Sequence, residues 1–256
     1  MKKVLPKVIK HGYVNIYSDL SYRELVQIRY KTLYKKDNSN WDDTMVYLSK
    51  EFRRLVSSGS VVLDAGCGNG NYVIDENRNK IKTAVGVDVK EEFTKKNISM
   101  DTIRYCDLEK MPFKDDYFDA VVSLWVLEHL KSPDKVFKEI YRVLKPNGYF
   151  FFATPNYYYF PLKLLHILRS EKIKKLLNKL LFGRSEEDVF KTYYKANTLK
   201  DIRKIAGGLL KEKKLFLNYD PSYTSFNDLS FKLSNKFDKL VNSYITKAHI
   251  IGIFLK

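Results

Sequence analysis

The chain has 256 residues, 45% of them apolar, and a formal net charge of +16 carried mostly by lysine. That length fits one large α/β domain or two small ones, and the apolar share supports a sizeable core. Three classes are disfavoured at once. No apolar run approaches the ~20 residues that a membrane-spanning helix needs. Met1-Lys2-Lys3 begins basic, but Val4-Leu5-Pro6-Lys7 breaks any secretory pattern. The two cysteines, Cys67 and Cys106, are too few for a disulfide framework and are not spaced as metal ligands. The expectation is a cytoplasmic chain without a metal site, soluble or resting on the inner membrane surface. A basic surface attracts nucleic acid, anionic membranes or acidic substrates over ~8–10 Å. The sequence is also rich in Asn, Ile and Tyr, so compositional bias weakens the charge as a pointer to a polyanionic partner.

In chain order, residues 1–16 read as irregular. Ser18-Asp19 suits a helix cap, followed by a helix over about Leu20–Tyr34 with Leu20, Leu25, Ile28 and Leu33 near one face. A second helix, Asp42 to Val56, carries Met45, Leu48, Phe52 and Leu55 at steps of three and four. Alternation then begins. Strands are expected at Val61–Asp64, Ala84–Asp88, Ile103–Asp107, Phe118–Leu124 and Tyr149–Ala153. Helices are expected after Gly70, from about Glu91, and from Pro133 to about Leu144, where the proline suits a first turn. Residues 155–197 break the rhythm with an aromatic run, Tyr157 to Phe160, and a basic helical stretch from Leu162 to Phe182. A helix at Thr198–Ala206, a strand at Leu215–Leu217, a partly helical insertion from Pro221 to about Tyr244 and a last strand at Ala248–Leu255 complete the chain.

Short apolar strands alternating with amphipathic helices imply a doubly wound parallel sheet with right-handed crossovers. Ligands in such sheets bind outside the carboxyl ends of the strands. Asp64, Asp88 and Asp107 all stand at or near those ends. Between the first strand and its helix lies Asp64-Ala65-Gly66-Cys67-Gly68-Asn69-Gly70. Glycines permit a sharp turn and let a ligand lie against bare backbone. A dinucleotide fingerprint G-x-G-x-x-G would need its third glycine at position 71, which is Asn. No lysine or arginine stands in the turn to meet a phosphate.

Taken together, these residues resemble motif I of the class I S-adenosylmethionine-dependent methyltransferases. The resemblance continues in order through Gly86-Val87-Asp88, Asp107-Leu108 with Met111-Pro112-Phe113, and Phe118-Asp119. It extends through Val126-Leu127-Glu128-His129-Leu130 and Leu144-Lys145-Pro146-Asn147-Gly148. It is similar to the methyltransferase type 11 group that includes ubiquinone and menaquinone biosynthesis enzymes and small-molecule and sugar methyltransferases. It is dense over residues 60–155 and only general elsewhere. It implies an α/β Rossmann-like fold, a mostly parallel seven-stranded sheet with helices on both faces and an antiparallel last strand. It implies one methyltransferase domain over 1–256: a helical lid at 1–59, a cofactor core at 60–155, and insertions at 156–212 and 220–245 on the acceptor side.

The resemblance also assigns roles. S-adenosyl-L-methionine would be held by Asp64, Gly66, Cys67, Gly68 and Gly70, with S-adenosyl-L-homocysteine as product. Gly66 and Gly68 would admit the methionine and ribose part, and Asp64 would lie near its amino group. Asp88, with Val89 beside it, would accept from both ribose hydroxyls. Asp107 and Leu108 would meet the adenine, and Ser123 and Leu124 would border the sulfonium. His129 is the candidate general base for an oxygen acceptor. Tyr17, Tyr22 and Trp41 lie in the region that forms a lid in look-alikes. Tyr157, Tyr193 and Tyr194, with Tyr17, Trp41 and His129, are the candidate acceptor contacts.

The acceptor itself is expected to be a small molecule, a sugar or a lipid-linked compound. Residues 157–214 carry 15 Lys and Arg against 6 Asp and Glu, a net of +9. The aromatic, basic stretch 157–182 therefore reads either as a peripheral membrane contact or as a solvated lysine face. RNA methylation is the alternative, but no RNA-binding motif accompanies the charge, and Ala153-Thr154-Pro155-Asn156 only faintly echoes an amine-methylating Asn-Pro-Pro-Tyr. A non-catalytic cofactor-binding module is the third reading. Either a monomer or a homodimer is compatible with the sequence.

Overall fold

A computed structural model describes residues 22–167 and 191–256. Tyr17, the N-terminal stretch 1–16 and most of the basic segment 157–182 lie outside the described residues. The described chain falls into two compact units. The larger comprises residues 42–163, 191–219 and 244–256; the smaller includes residues 22–41, 164–167 and 220–243.

The larger unit is built on one seven-stranded sheet of order β3-β2-β1-β4-β5-β7-β6. Its strands are β1 (Ser60–Ala65), β2 (Ile81–Asp88), β3 (Thr102–Tyr105), β4 (Phe118–Leu124), β5 (Leu144–Pro155), β6 (Lys211–Asn218) and β7 (His249–Leu255). The pairs among β1 to β5 are parallel, and β7 runs antiparallel between β5 and β6. Alternate side chains point to opposite faces of a strand. Leu63, Val85, Val121, Phe150 and Phe152 therefore enter one core, and Val62, Ala84, Val122, Phe151 and Ala153 enter the other.

Helices close both faces. On the first, α4 (Pro133–Val143) buries Val136, Phe137, Ile140 and Val143 in helical step. Beside it, α6 (Leu199–Ala206) buries Ile202 and Ala206, and Thr198 caps its start by accepting from the Asp201 N–H. On the second face, α2 (Thr44–Leu55) contributes Leu48 and Phe52, and α3 (Tyr72–Glu76) contributes Val73 and Ile74. Gly252 is required in β7 because the Phe152 ring lies across it. A Cβ there would come within 2.0 Å of that ring.

The connection between β2 and β3 differs from expectation. The helix expected from Glu91 is only a single 3₁₀ turn, Glu91–Phe93. Asn97 explains the difference: its side-chain oxygen accepts from the Ser99 and Met100 N–H groups, a local turn that competes with a helix. The fifth strand is longer than expected, because α4 passes directly into β5. The third strand ends at Tyr105, two residues short of Asp107.

In the smaller unit, α1 (Tyr22–Asp37) lies with α7 (Asp228–Val241). Its buried residues are Tyr30 and Tyr34, while Leu33 is exposed, so the expected leucine face is corrected to a tyrosine one. Tyr30 stacks on Phe231 at 4.9 Å and donates to Asp228 Oδ1 at 3.0 Å, which leucine cannot do. Within the same unit Trp41 packs edge-on against Tyr34 at 5.0 Å, and Tyr22 is exposed. A fifth helix, α5 (Phe160–Ile167), begins in the larger unit. Among the described residues, no helix is long and apolar enough to cross a membrane.

Candidate active site

The site is built at the carboxyl end of β1. Asp64 pairs in register with Gly86 of β2 and Val122 of β4, at the centre of the sheet. The chain then turns through Gly66, Gly68 and Gly70, all with positive φ: 83°, 40° and 139°. Glycine meets two different demands here. A Cβ on Gly66 would strike Val126 Cγ2 at 2.4 Å, whereas one on Gly68 would meet nothing within 4 Å. The second position opens onto space where a ligand can approach backbone. Cys67 covers Gly86, where an added Cβ would come within 2.7 Å of its Sγ, and burial pushes its thiol pKa up. Cys67 is therefore a packing residue in the turn rather than a nucleophile.

Asp64 is 1% exposed. Its Oδ1 accepts from Asn71 Nδ2 at 2.9 Å, and its Oδ2 is buried with no hydrogen-bond partner among the described residues. Burial pushes its pKa up to about 7, Asn71 opposes the rise, and the charges of Asp88 and Asp75 add to it. A buried, half-satisfied carboxylate at a ligand-binding sheet end is unfavourable unless a cation or donor arrives.

Asp88 ends β2 and is half-exposed. Oδ2 accepts from the Gly68 N–H at 2.9 Å and Oδ1 from the Val89 N–H at 2.7 Å. Each oxygen retains a second lone pair, so the carboxylate is held by backbone and can still accept from a diol. Asp107 is exposed beyond β3 and accepts from the Glu109 N–H at 2.9 Å, and Leu108 is buried. Ser123 is buried on β4 and donates to the Ala65 carbonyl at 2.8 Å, tying two strands at the site. Leu124 packs against the second core.

His129 closes a 3₁₀ turn, Leu127–His129, after β4. Its Nδ1 lies 3.0 Å from the Lys191 carbonyl oxygen. A carbonyl can only accept, so Nδ1 donates to it, and Nε2 lies 3.9 Å from the buried Glu128 Oε1. The neighbouring Glu128 backbone carbonyl accepts from the Tyr193 and Tyr194 N–H groups at 2.7 and 3.2 Å. Tyr193 and Tyr194 are thus anchored next to His129, and the Tyr194 ring stands 5.9 Å from that of Tyr157. Tyr193 and Tyr194 therefore flank the turn that carries His129, and Tyr157 meets the Tyr194 ring. Trp41 belongs to the smaller unit, and Tyr17 is outside the described residues.

Four residues escaped the sequence reading. Asn71 caps α3 by accepting from the Val73 N–H at 3.0 Å while holding Asp64. Asn preceding an apolar helical run was a legible cap signal. Asn97 donates to the Gly68 and Cys67 carbonyls at 2.8 and 3.2 Å, clamping the glycine turn from about thirty residues downstream, and no sequence pattern marks it. Glu128 is 1% exposed, accepts from Thr154 Oγ1 at 3.0 Å, and so pins the end of β5. Trp125 directly follows β4 with φ 60° and packs on His249 at 4.7 Å. A left-handed tryptophan at a strand end is an uncommon, strained conformation. Its position after Ser123-Leu124 was the available signal.

A doubly wound sheet with a glycine turn after β1 and acids at or just beyond three successive strands gathers bare backbone and carboxylates where such sheets bind ligands. Comparison with known proteins agrees. A methyltransferase-domain family model matches residues 63–152. The ubiquinone biosynthesis O-methyltransferase of Pseudomonas entomophila is 30% identical over 215 residues, covering 78% of this chain and 79% of that protein. A tRNA (carboxymethyluridine(34)-5-O)-methyltransferase of Arabidopsis thaliana is 35% identical over 104 residues, 38% of this chain and 24% of that one. Against two further relatives the chain spans 63% and 39% of their length. Among solved structures, an S-adenosylmethionine dependent methyltransferase from Mesorhizobium loti superposes with a TM-score of 0.50 at 15% identity, over 81% of this chain and 96% of that one. The chain belongs to the class I S-adenosylmethionine-dependent methyltransferases, a family that implies S-adenosylmethionine as methyl donor.

Proposed function

We propose that this methyltransferase moves the methyl group of S-adenosylmethionine to a hydroxyl oxygen of a small-molecule or lipid-linked acceptor. One observation carries the choice of oxygen: the Lys191 carbonyl holds His129 through Nδ1, so Nε2 is the ring nitrogen left to take a proton, beside an aromatic wall of Tyr157, Tyr193 and Tyr194. A hydroxyl is a poor nucleophile until a base takes its proton, and a neutral imidazole suits that role near neutral pH.

The cofactor site fits the donor. The open side of Gly68 admits a ligand to bare backbone, and among the described residues Asp64 Oδ2 lacks a partner that an ammonium group would supply. Asp88 would take the ribose hydroxyls, and Asp107 with Leu108 the adenine. S-adenosylmethionine supplies a methyl carbon already activated by its sulfonium. The protein's own residues orient the acceptor for in-line attack, keep water out, and accept the hydroxyl proton on His129 Nε2. Glu128 holds this arrangement through its backbone carbonyl and Thr154, and its Oε1, 3.9 Å from His129 Nε2, would stabilise the imidazolium once the proton is taken.

Support for a small acceptor comes from the relatives. The ubiquinone biosynthesis O-methyltransferase match covers most of both chains, whereas the tRNA methyltransferase match covers under two-fifths of this one. Calorimetric titration with S-adenosylmethionine tests the cofactor site: binding by wild type and loss with Asp88→Ala are expected. With a phenolic acceptor panel, His129→Ala is expected to lower kcat by about 10²–10⁴-fold while leaving cofactor affinity unchanged. Unchanged turnover by that variant would remove His129 as the base.

A further inference from the structure

The smaller unit carries a feature that the methyl-transfer chemistry does not use. Helix α7 buries Phe231 and Asp238 on one side. Its outer side presents Leu229, Leu233, Phe237, Leu240 and Val241, with Leu229 67% and Leu240 75% exposed. At 3.6 residues per turn these five lie within one sector of roughly 120°. Lys232, Lys236 and Lys239 follow each other along the adjoining sector. The helix has a firm start, a capping box between Asn227 and Ser230, and a left-handed C-cap at Asn242. It is thus a well-formed helix whose apolar stripe faces solvent and is edged by lysines. Soluble monomers rarely leave such a contiguous stripe uncovered without a partner.

We propose that α7 is an interfacial anchor that lays its Leu229–Leu233–Phe237–Leu240 stripe into the surface of an anionic membrane. Charge decides between the candidate occupants. A second copy would bring the same row of lysines to the contact. The chain's own segment 168–182 carries leucines but also five lysines and arginines against one acid, so it brings no counter-charge to the lysine row. An anionic headgroup layer complements the lysines while its acyl boundary takes the leucines and phenylalanine, the pattern of a helix lying in the interface plane. The chain's net charge of +16 adds long-range attraction to the same surface. This inference does not rest on the acceptor reading. An enzyme with a soluble acceptor would show the same attachment.

Co-sedimentation of the full chain with vesicles tests it. Wild type is expected to pellet with vesicles of phosphatidylglycerol and phosphatidylcholine in equal parts, and weakly with phosphatidylcholine alone. Leu233→Glu with Phe237→Glu is expected to lower the partition coefficient about tenfold or more. Lys232→Glu with Lys236→Glu is expected to abolish the preference for anionic vesicles. These side chains point to solvent, and unchanged circular dichroism and unchanged S-adenosylmethionine affinity verify folding. Should the glutamate pair fail that check, Leu233→Ser with Phe237→Ser gives the same reading. Three results overturn the proposal: no pelleting by wild type, equal pelleting by the stripe variants, or conversion of a solution dimer to monomer by those variants without vesicle binding.

Discussion

At the scale of single residues, Asp64 makes the sharpest demand. Its carboxyl is fully buried, and its pKa is raised from 3.8 to about 7. A carboxyl with a raised folded-state pKa binds its proton more tightly when folded. Its favourable contribution is therefore complete below about pH 4 and is lost as pH rises through about 7. Replacing it with the neutral isostere should stabilise the cofactor-free protein at pH 8. Asp64→Asn is expected to add on the order of 1–4 kcal/mol there, and nothing near pH 4. Urea titrations at both pH values measure this. An ammonium arriving at Oδ2 would favour the ionised form and expel the proton, so S-adenosylmethionine should bind more tightly at pH 8 than at pH 6. Calorimetry in buffers of different ionisation enthalpy would detect that proton. Equal affinity at the two pH values, with no proton release, would show that Asp64 does not meet the cofactor's amino group.

At the scale of elements, the glycine turn is shaped as much by what surrounds it as by its own glycines. Asn97 donates to two of its carbonyls, and Asn71 joins its end to α3. Asn97→Ala should cost about 1–2 kcal/mol of stability, since it leaves half-buried carbonyls short of a donor. It should weaken S-adenosylmethionine binding about tenfold through a looser turn, while Asn97→Asp, which cannot donate when ionised, should do no better. An unchanged cofactor affinity in Asn97→Ala would confine Asn97 to stability. The same region shows what the sequence made legible. Strand β4 is legible to its last residue, because Asp115-Asp116 marks the turn before it and Ala120-Val121-Val122 is a β-branched, apolar run. Helix α4 was read nearly as well, because its stripe and its proline agree. The three strand-end acids and the glycine turn were legible because their chemistry demands those residue types. The Asn97 clamp was not, since a side chain that bonds backbone thirty residues away leaves no local period. The face of α1 was misread for a related reason: a tyrosine buried with a polar partner scores as surface until its partner, Asp228, is known.

At the scale of the whole molecule, every residue proposed to hold the cofactor lies in the larger unit, together with both cores and the entire sheet. S-adenosylhomocysteine should therefore stabilise that unit by mass action. At a hundred times its dissociation constant the gain is about 2.7 kcal/mol, equivalent to roughly a hundredfold slowing of amides that exchange only when the sheet opens. The central strands β1, β4 and β5 should show this slowing in hydrogen exchange. Amides of α1 and α7 belong to the other unit and should slow by less than about threefold, if their opening is a separate, cheaper event. The sequence expectation of a lid at residues 1–59 leads to the opposite pattern, because a lid that closes over the product would share its protection. The division between the units already separates α2 from α1 at residue 41, so the two halves of that expected lid can be read independently in one experiment. Slowing in α2 alone follows from its packing on the sheet through Phe52 and Phe151 at 5.4 Å. Slowing in α1 to the same degree as β4 would instead accord with the lid expected over residues 1–59.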